Sequence, residues 1–286
     1  MMTQLAPVAD PFHITGPALI SFSGGRSSAY LLHRILAEHD GVLPADTVCC
    51  FANTGREMPG TLDFVRDCGA VWNVPIVWLE FRARAKDGYE VVSHNSASRA
   101  GEPFEALLKS ASALPNPVQR SCTTELKIRT MKRWVVAELG WKHWTNVIGL
   151  RADEPIRVEK KRVRSRERWD HAMPLFDAGV RKPQILDFWR DQPFDLGLAG
   201  PWEGNCDGCF LKSRASIMRM CRDHPTRMQW WPGMEATPRG TKGINRTFRR
   251  DREPYGALID LVRRTPLLPF DETMHDLGEA CDDGCG

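Results

Sequence analysis

Short apolar runs alternate with amphipathic stretches along most of this chain. Ala18 to Phe22 is such a run, bounded by Gly16-Pro17 and Gly24-Gly25, and predicts a buried parallel strand. From Ser27 the apolar residues Tyr30, Leu31, Leu32, Ile35 and Leu36 recur at helical spacing and leave Arg34 and Glu38 to solvent. Thr47 to Phe51 and Pro75 to Phe81 predict further strands, with a helix from Pro59 to Cys68 between them. A long helix is expected from Cys122 to Leu139, then a strand from Thr145 to Leu150. This is the alternation of βαβ units, and it predicts an α/β fold: a mostly parallel twisted sheet flanked by helices, Rossmann-like in architecture. Arg82 to Gly101, polar and rich in small residues, reads as a mobile excursion, and Glu154 to Asp170, dense in cations, as a flexible loop.

Composition narrows the class without naming a chemistry. The 286 residues suffice for one large domain, read as 17–235 with an N-terminal extension 1–16 and a C-terminal extension 236–286 that carries cysteines. Hydrophobic residues make up 42 % and charged residues 26 %, ordinary values for a soluble globular protein, and a formal charge of +3 does not argue for a nucleic-acid binder. No apolar run reaches membrane-spanning length and the first residues lack a signal-peptide pattern, so no membrane partner and a cytoplasmic location are expected. Local charge is more suggestive. Basic stretches at 157–168 and 239–252 could meet a nucleic-acid backbone or another anion, or could simply be solvated.

Three sets of residues carry candidate chemistry. The turn Ser23-Gly24-Gly25-Arg26-Ser27-Ser28 joins a strand to a helix N-terminus, where bare backbone N–H groups and the positive dipole end suit a phosphate or sulfate. It is neither a G-x-x-x-x-G-K-[ST] loop nor a G-x-G-x-x-G loop. Asn53-Thr54-Gly55 ends the second strand and should converge with this turn on one crevice, because ligands of parallel sheets bind beyond the carboxyl ends of the strands, and Arg151-Ala152-Asp153-Glu154 end a later strand, where charges either meet a ligand or are simply solvated. The cysteines form the third set. Cys49, Cys50 and Cys68 read as core, whereas Cys206-Asp207-Gly208-Cys209 can offer two thiolates to one metal, with Cys221 and His224 completing a zinc-like spacing.

Ser23 to Ser28 resemble the pyrophosphate loop of the adenine-nucleotide alpha-hydrolase superfamily. With Asn53-Thr54-Gly55, Cys122 to Arg129, Leu150 to Glu154, Pro174-Leu175, Ile185 to Trp189 and Pro193 to Leu196 in the same order, Pro17 to Met220 resembles the PAPS/APS reductase family, in particular its stand-alone bacterial and phage members. The resemblance implies an adenine nucleotide (PAPS, APS or ATP) held by Ser23, Gly24, Gly25, Arg26, Ser27, Ser28, Asn53, Thr54, Gly55, Lys127, Arg129, Gly149 and Arg151. It implies a [4Fe-4S] cluster on Cys122, Cys206 and Cys209, with Cys221, another residue or none as fourth ligand. Position 121 is Ser where cluster-binding relatives carry Cys, and Zn2+ at Cys206, Cys209, Cys221 and His224 is the alternative.

The same resemblance implies catalytic thiols at Cys281 and Cys285, re-reduced by a thioredoxin-like dithiol, although the usual E-C-G-[IL]-H ending is absent. Three functions follow from it. One is a reductase that cleaves an adenylylated sulfate. Another is an ATP pyrophosphatase that thiolates tRNA or DNA, against which Ser27 stands in place of the usual Asp. The third is a nucleotide-binding regulator without chemistry. The sequence leaves a homodimer open.

Overall fold

The structure is a computed structural model that describes residues 10–163, 167–237 and 247–265. A six-stranded sheet runs in the order β4-β3-β2-β1-β5-β6, with β4 antiparallel and the others parallel. In chain order the elements are β1 (Ala18–Phe22), α1 (Arg26–Glu38), β2 (Thr47–Asn53), α2 (Pro59–Val71), β3 (Ile76–Phe81), β4 (Tyr89–Val92) and α3 (Glu102–Ser110). A π-helical segment (Thr123–Arg129) runs into α4 (Thr130–Glu138), followed by β5 (Trp144–Val147), α5 (Pro155–Arg162), β6 (Trp169–Ala172), α6 (Pro174–Asp177) and α7 (Lys182–Arg190). The described chain closes with α8 (Arg214–Asp223), α9 (Pro225–Met228), α10 (Trp230–Ala236) and α11 (Tyr255–Arg264). The expected α/β architecture is what the chain adopts.

Alternation along β1 and β2 sends side chains to two different cores. Ala18, Ile20, Phe22, Cys49 and Phe51 pack with Leu31, Leu32 and Ile35 of α1, Phe64 and Val65 of α2, and Trp189 of α7. Leu19, Cys50 and Ala52 face the other way, onto Met131, Trp134 and Val135 of α4. Both faces of the central strands are therefore covered, which is why they read as continuous apolar runs. Cys49, Cys50 and Cys68 are core residues, as expected. Phe12 and Ile14, before the first strand, are buried in the α1 core.

A further core lies beyond the sheet. Phe104, Leu107 and Leu108 of α3 meet Leu126, Phe210, Ile217 and Met220, and Trp231, Phe248, Tyr255 and Leu258 complete it.

Two expectations are corrected and a third is refined. Arg82 to Gly101 is not a structureless excursion. It forms edge strand β4 and is pinned by the buried Glu80 carboxylate, which accepts from Ser98 N at 2.6 Å and Ser98 Oγ at 2.7 Å. Glu154 to Asp170 contains helix α5 and the start of β6; Val158 is the buried anchor of a helix otherwise dominated by cations, which masked its periodicity. The stretch Cys122 to Leu139 is a helix of two kinds, wide at first and regular afterwards.

Candidate functional site

At β1 the chain reverses direction across the sheet: β2 and β3 lie on one side, β5 and β6 on the other. The loops after β1 and β5 therefore part at the switch point, where open α/β sheets bind ligands. Gly24 takes φ +82°, and a Cβ there would stand 2.8 Å from Thr61 Cγ2, so both conformation and space demand glycine. Ser28 Oγ ties the turn together, accepting from Ser23 N at 3.2 Å and Ser23 Oγ at 2.9 Å and donating to Gly25 O at 2.9 Å. Helix α1 then begins without a side-chain cap and with no acidic residue in its first turn, an electropositive end suited to an anion.

The β5 loop closes on this turn. A Cβ on Gly149 would lie 3.3 Å from the backbone of Ser28, so glycine permits the two loops to touch. Arg151, 4 % exposed, donates from Nη1 to Ser27 Oγ at 3.3 Å and from Nε to Asp153 Oδ1 at 2.9 Å, while its N–H donates to Glu154 Oε2. Arg151 holds the Asp153 carboxyl below its ordinary range despite the opposing effect of burial.

Other members of the expected set are placed differently. Arg26 forks onto Asp195 with two contacts of 2.7 Å and is thereby turned to the segment after α7. Arg129 is exposed and paired with Glu125, outside the cavity described below. Asn53 is fully buried and structural: its Nδ2 donates to Glu80 Oε1 and Ser98 O, and its Oδ1 accepts from Gly55 N. Thr54 donates through N and Oγ1 to Glu57, whose carboxylate stands 3.9 Å from Lys127 Nζ.

Below the turn, between the sheet face and the helix leading into α4, lies a cavity of about 330 Å³. Ser21 and Ser23 of the β1 end, Lys127 and Met131 above, and Asn146 and His171 of β5 and β6 line it, with Trp144 and Trp169. The two tryptophans stack at 5.1 Å, and their buried indole N–H groups have no acceptor among the described residues. Burial, reinforced by Lys161, pushes the His171 imidazole from its usual 6.5 down to about 4. Between those values the unfolded chain takes up a proton that the folded chain refuses. Stability should therefore fall as pH drops from about 6.5 toward 4 and be insensitive to this group above 6.5, with His171→Phe flattening that slope in urea titrations.

The cysteine turn packs against the same crevice. Cys206 forms a backbone bridge with Glu57, and its Sγ is 3.3 Å from Thr54 Oγ1. Between the cysteines, Asp207 is inaccessible to solvent and collects Arg56 Nη2 at 2.5 Å, Arg227 Nε at 3.0 Å, Trp231 Nε1 at 2.8 Å and Gly208 N at 2.8 Å. Burial and the Glu57 carboxylate push the Cys206 thiol well up. Alkylation by iodoacetamide at pH 8 should accordingly be many times slower at Cys206 in the folded protein than after denaturation, as read by peptide mass spectrometry.

Cys221 lies in α8 within the core beyond the sheet, and burial raises its thiol to about 12. His224 Nε2 is 2.5 Å from Glu203 Oε1. Among the described residues no three His, Cys, Asp or Glu side chains gather into a metal-holding group. Cys281 and Cys285 lie outside the described residues.

Comparison with known proteins adds one decisive relative. The chain is 32 % identical over 212 residues to the uncharacterized nin region protein ORF290 of Escherichia phage lambda, an alignment that spans 72 % of this chain and 69 % of the lambda protein. The chain belongs to the family of lambda ORF290. No family model matches it. No described helix is long and apolar enough to cross a membrane.

Within this ORF290-family chain, sequence reasoning overlooked Glu57, Asp207, Asn146 and His171. A signal for the last two exists: Trp144-x-Asn146 and Trp169-x-His171 repeat one period-two pattern, and the pairing sets Trp144 beside Trp169 and Asn146 beside His171. Asp207 carried no such signal, since a carboxylate in a glycine turn ordinarily reads as solvated.

Proposed function

We propose that this protein binds an adenine nucleotide, with phosphate or sulfuryl oxygens on Ser23 to Ser28, and uses it in sulfur chemistry as a PAPS/APS reductase-like enzyme. The observation that carries this reading is the closure of Gly149 and buried Arg151 onto Ser27 and Ser28 at the sheet's switch point. A guanidinium beside an uncapped helix N-terminus favours a tetrahedral anion, and the cavity below can take a flat base. In the reaction, a thiolate of Cys281 or Cys285 attacks the sulfuryl sulfur of an adenylylated sulfate. An S–S bond forms, the S–O bond to the nucleotide breaks, and the nucleotide leaves with the electron pair. A thioredoxin-like dithiol then attacks the S-sulfocysteine, releases sulfite and is itself oxidised to a disulfide.

A [4Fe-4S] cluster belongs to the same proposal; Cys122, Cys206 and Cys221 lie against the one core beyond the sheet and Cys209 shares the Cys206 turn, but among the described residues no three of these ligands gather. Iron and sulfide analysis after anaerobic purification, on the wild type and Cys122→Ser, tests the cluster.

One observation favours nucleic-acid thiolation as the second reading. Arg129, Lys132 and Arg133 share a helix face and, with Arg168, line a groove of about 500 Å³ next to the cavity. Removing both tail cysteines separates the two readings. A Cys281→Ser/Cys285→Ser variant that no longer releases sulfite from adenylyl sulfate supports the reductase, whereas pyrophosphate release from ATP that survives the double change supports the thiolase.

A further inference from the structure

The cavity floor carries a hydrogen-bonded chain across three adjacent strands. Ser21 Oγ of β1 donates to Asn146 Oδ1 of β5 at 2.8 Å, which directs the amide's N–H groups the other way. Asn146 Nδ2 lies 3.4 Å from His171 Nδ1 of β6, its register partner. With the amide held this way by Ser21, its Nδ2 N–H meets Nδ1 as an acceptor and places the ring proton on Nε2, in competition with a contact of the ring to the Asn146 backbone carbonyl. The surroundings keep the ring neutral: Lys160 and Lys161 line the same wall, Lys127 and Lys132 come from above, and the carboxylates nearby are Glu167, paired with Lys132, and exposed Asp170. Among the described residues the two indole N–H groups of the wall also lack acceptors, so donors predominate along the cavity lining.

We infer that the Ser21–Asn146 relay sets His171 as a neutral Nε2–H donor that selects a flat heteroaromatic ligand by one ring-nitrogen acceptor. This rests on the nucleotide reading above for the ligand's identity, a purine base, but not for the relay itself. Asn146 is a positioning residue here and His171 the specificity determinant. A base that presents a protonated nitrogen or a C–H at that point is refused, because the buried donor would then be left unpaired.

Two measurements on the full chain test this. The first is long-range proton–nitrogen NMR of the unliganded protein, which reads which ring nitrogen of His171 carries the proton. A protonated Nε2 with bare Nδ1 is expected, and a switch to protonated Nδ1 in Asn146→Asp, where a carboxylate can only accept. A protonated Nδ1 in the wild type overturns the relay. The second is equilibrium binding of ATP and of three analogues, each with one ring nitrogen of the base replaced by C–H. One analogue should bind about tenfold more weakly than ATP, and that gap should vanish in His171→Phe. A gap that persists in His171→Phe, or no gap for any analogue, overturns the selection by His171. Failure of ATP itself to bind removes the nucleotide reading and with it the ligand class, while the tautomer still decides the relay.

Discussion

Asp207→Ala lowers the unfolding free energy by about 3–5 kcal/mol, because it leaves buried guanidinium charge without its counter-ion. Arg56 is 3 % exposed and the Asp207 side chain is inaccessible, so water cannot replace what is lost. The same change strips acceptors from Trp231 Nε1 and Gly208 N. Urea denaturation followed by tryptophan fluorescence measures it. Asp207→Asn should recover part of the loss, since an amide oxygen can still accept from Trp231, though its NH2 would face Arg56 and Arg227. A loss under about 1 kcal/mol would mean that the charges find other partners when Asp207 is removed.

Arg151→Met weakens ATP binding by roughly 10- to 150-fold, the range expected for a hydrogen bond to a charged group in a buried setting. Arg151→Lys should fall between the two, keeping the charge but losing the fork. Calorimetry at fixed salt measures both. Asp153 and Glu154 also lose a partner in Arg151→Met, so a thermal melt accompanies the titration; Arg157 remains paired with Glu154 and limits the damage. An affinity unchanged in Arg151→Met, with the fold intact, would remove Arg151 from the anion site.

The legible parts of the chain were those where local pattern and burial agree. Ala18 to Phe22 could be read because both faces of β1 are covered, leaving an apolar run between glycine punctuation marks, and the helix after it shows its stripe plainly. Tyr89 to Val92 could not: an edge strand with half its residues exposed has little hydrophobic contrast, and antiparallel pairing to β3 is a long-range fact. Helix α5 was hidden by its lysines and arginines. The core beyond the sheet joins α3 to residues more than a hundred positions later, which no local period records.

Within the site, the Ser23 turn and Arg151 were legible from their places at strand ends, whereas Arg26 was misleading because its partner, Asp195, lies 169 residues away. The cysteine turn drew attention to its sulfurs, while the residue that the structure builds around is the aspartate between them.

The wide turn from Thr123 to Arg129 sets a constraint on how this chain could change length. A π segment holds one more residue per turn than its regular neighbour, and here Thr130 Oγ1 also reaches back to Glu125 O at 2.8 Å. Deleting a single residue from it would let the helix close into α geometry with little net rotation of what precedes it, because the seven residues of the wider helix sweep nearly the angle of six regular ones at about 100° each. Cys122 would keep its place on the core it packs on, and Met131 and Trp134 theirs, while a residue inside the turn, such as Lys127 on the cavity wall, would change its setting. Within this helix the wide turn is the place where one residue can be lost while the segments that carry Cys122 and Met131 stay in register.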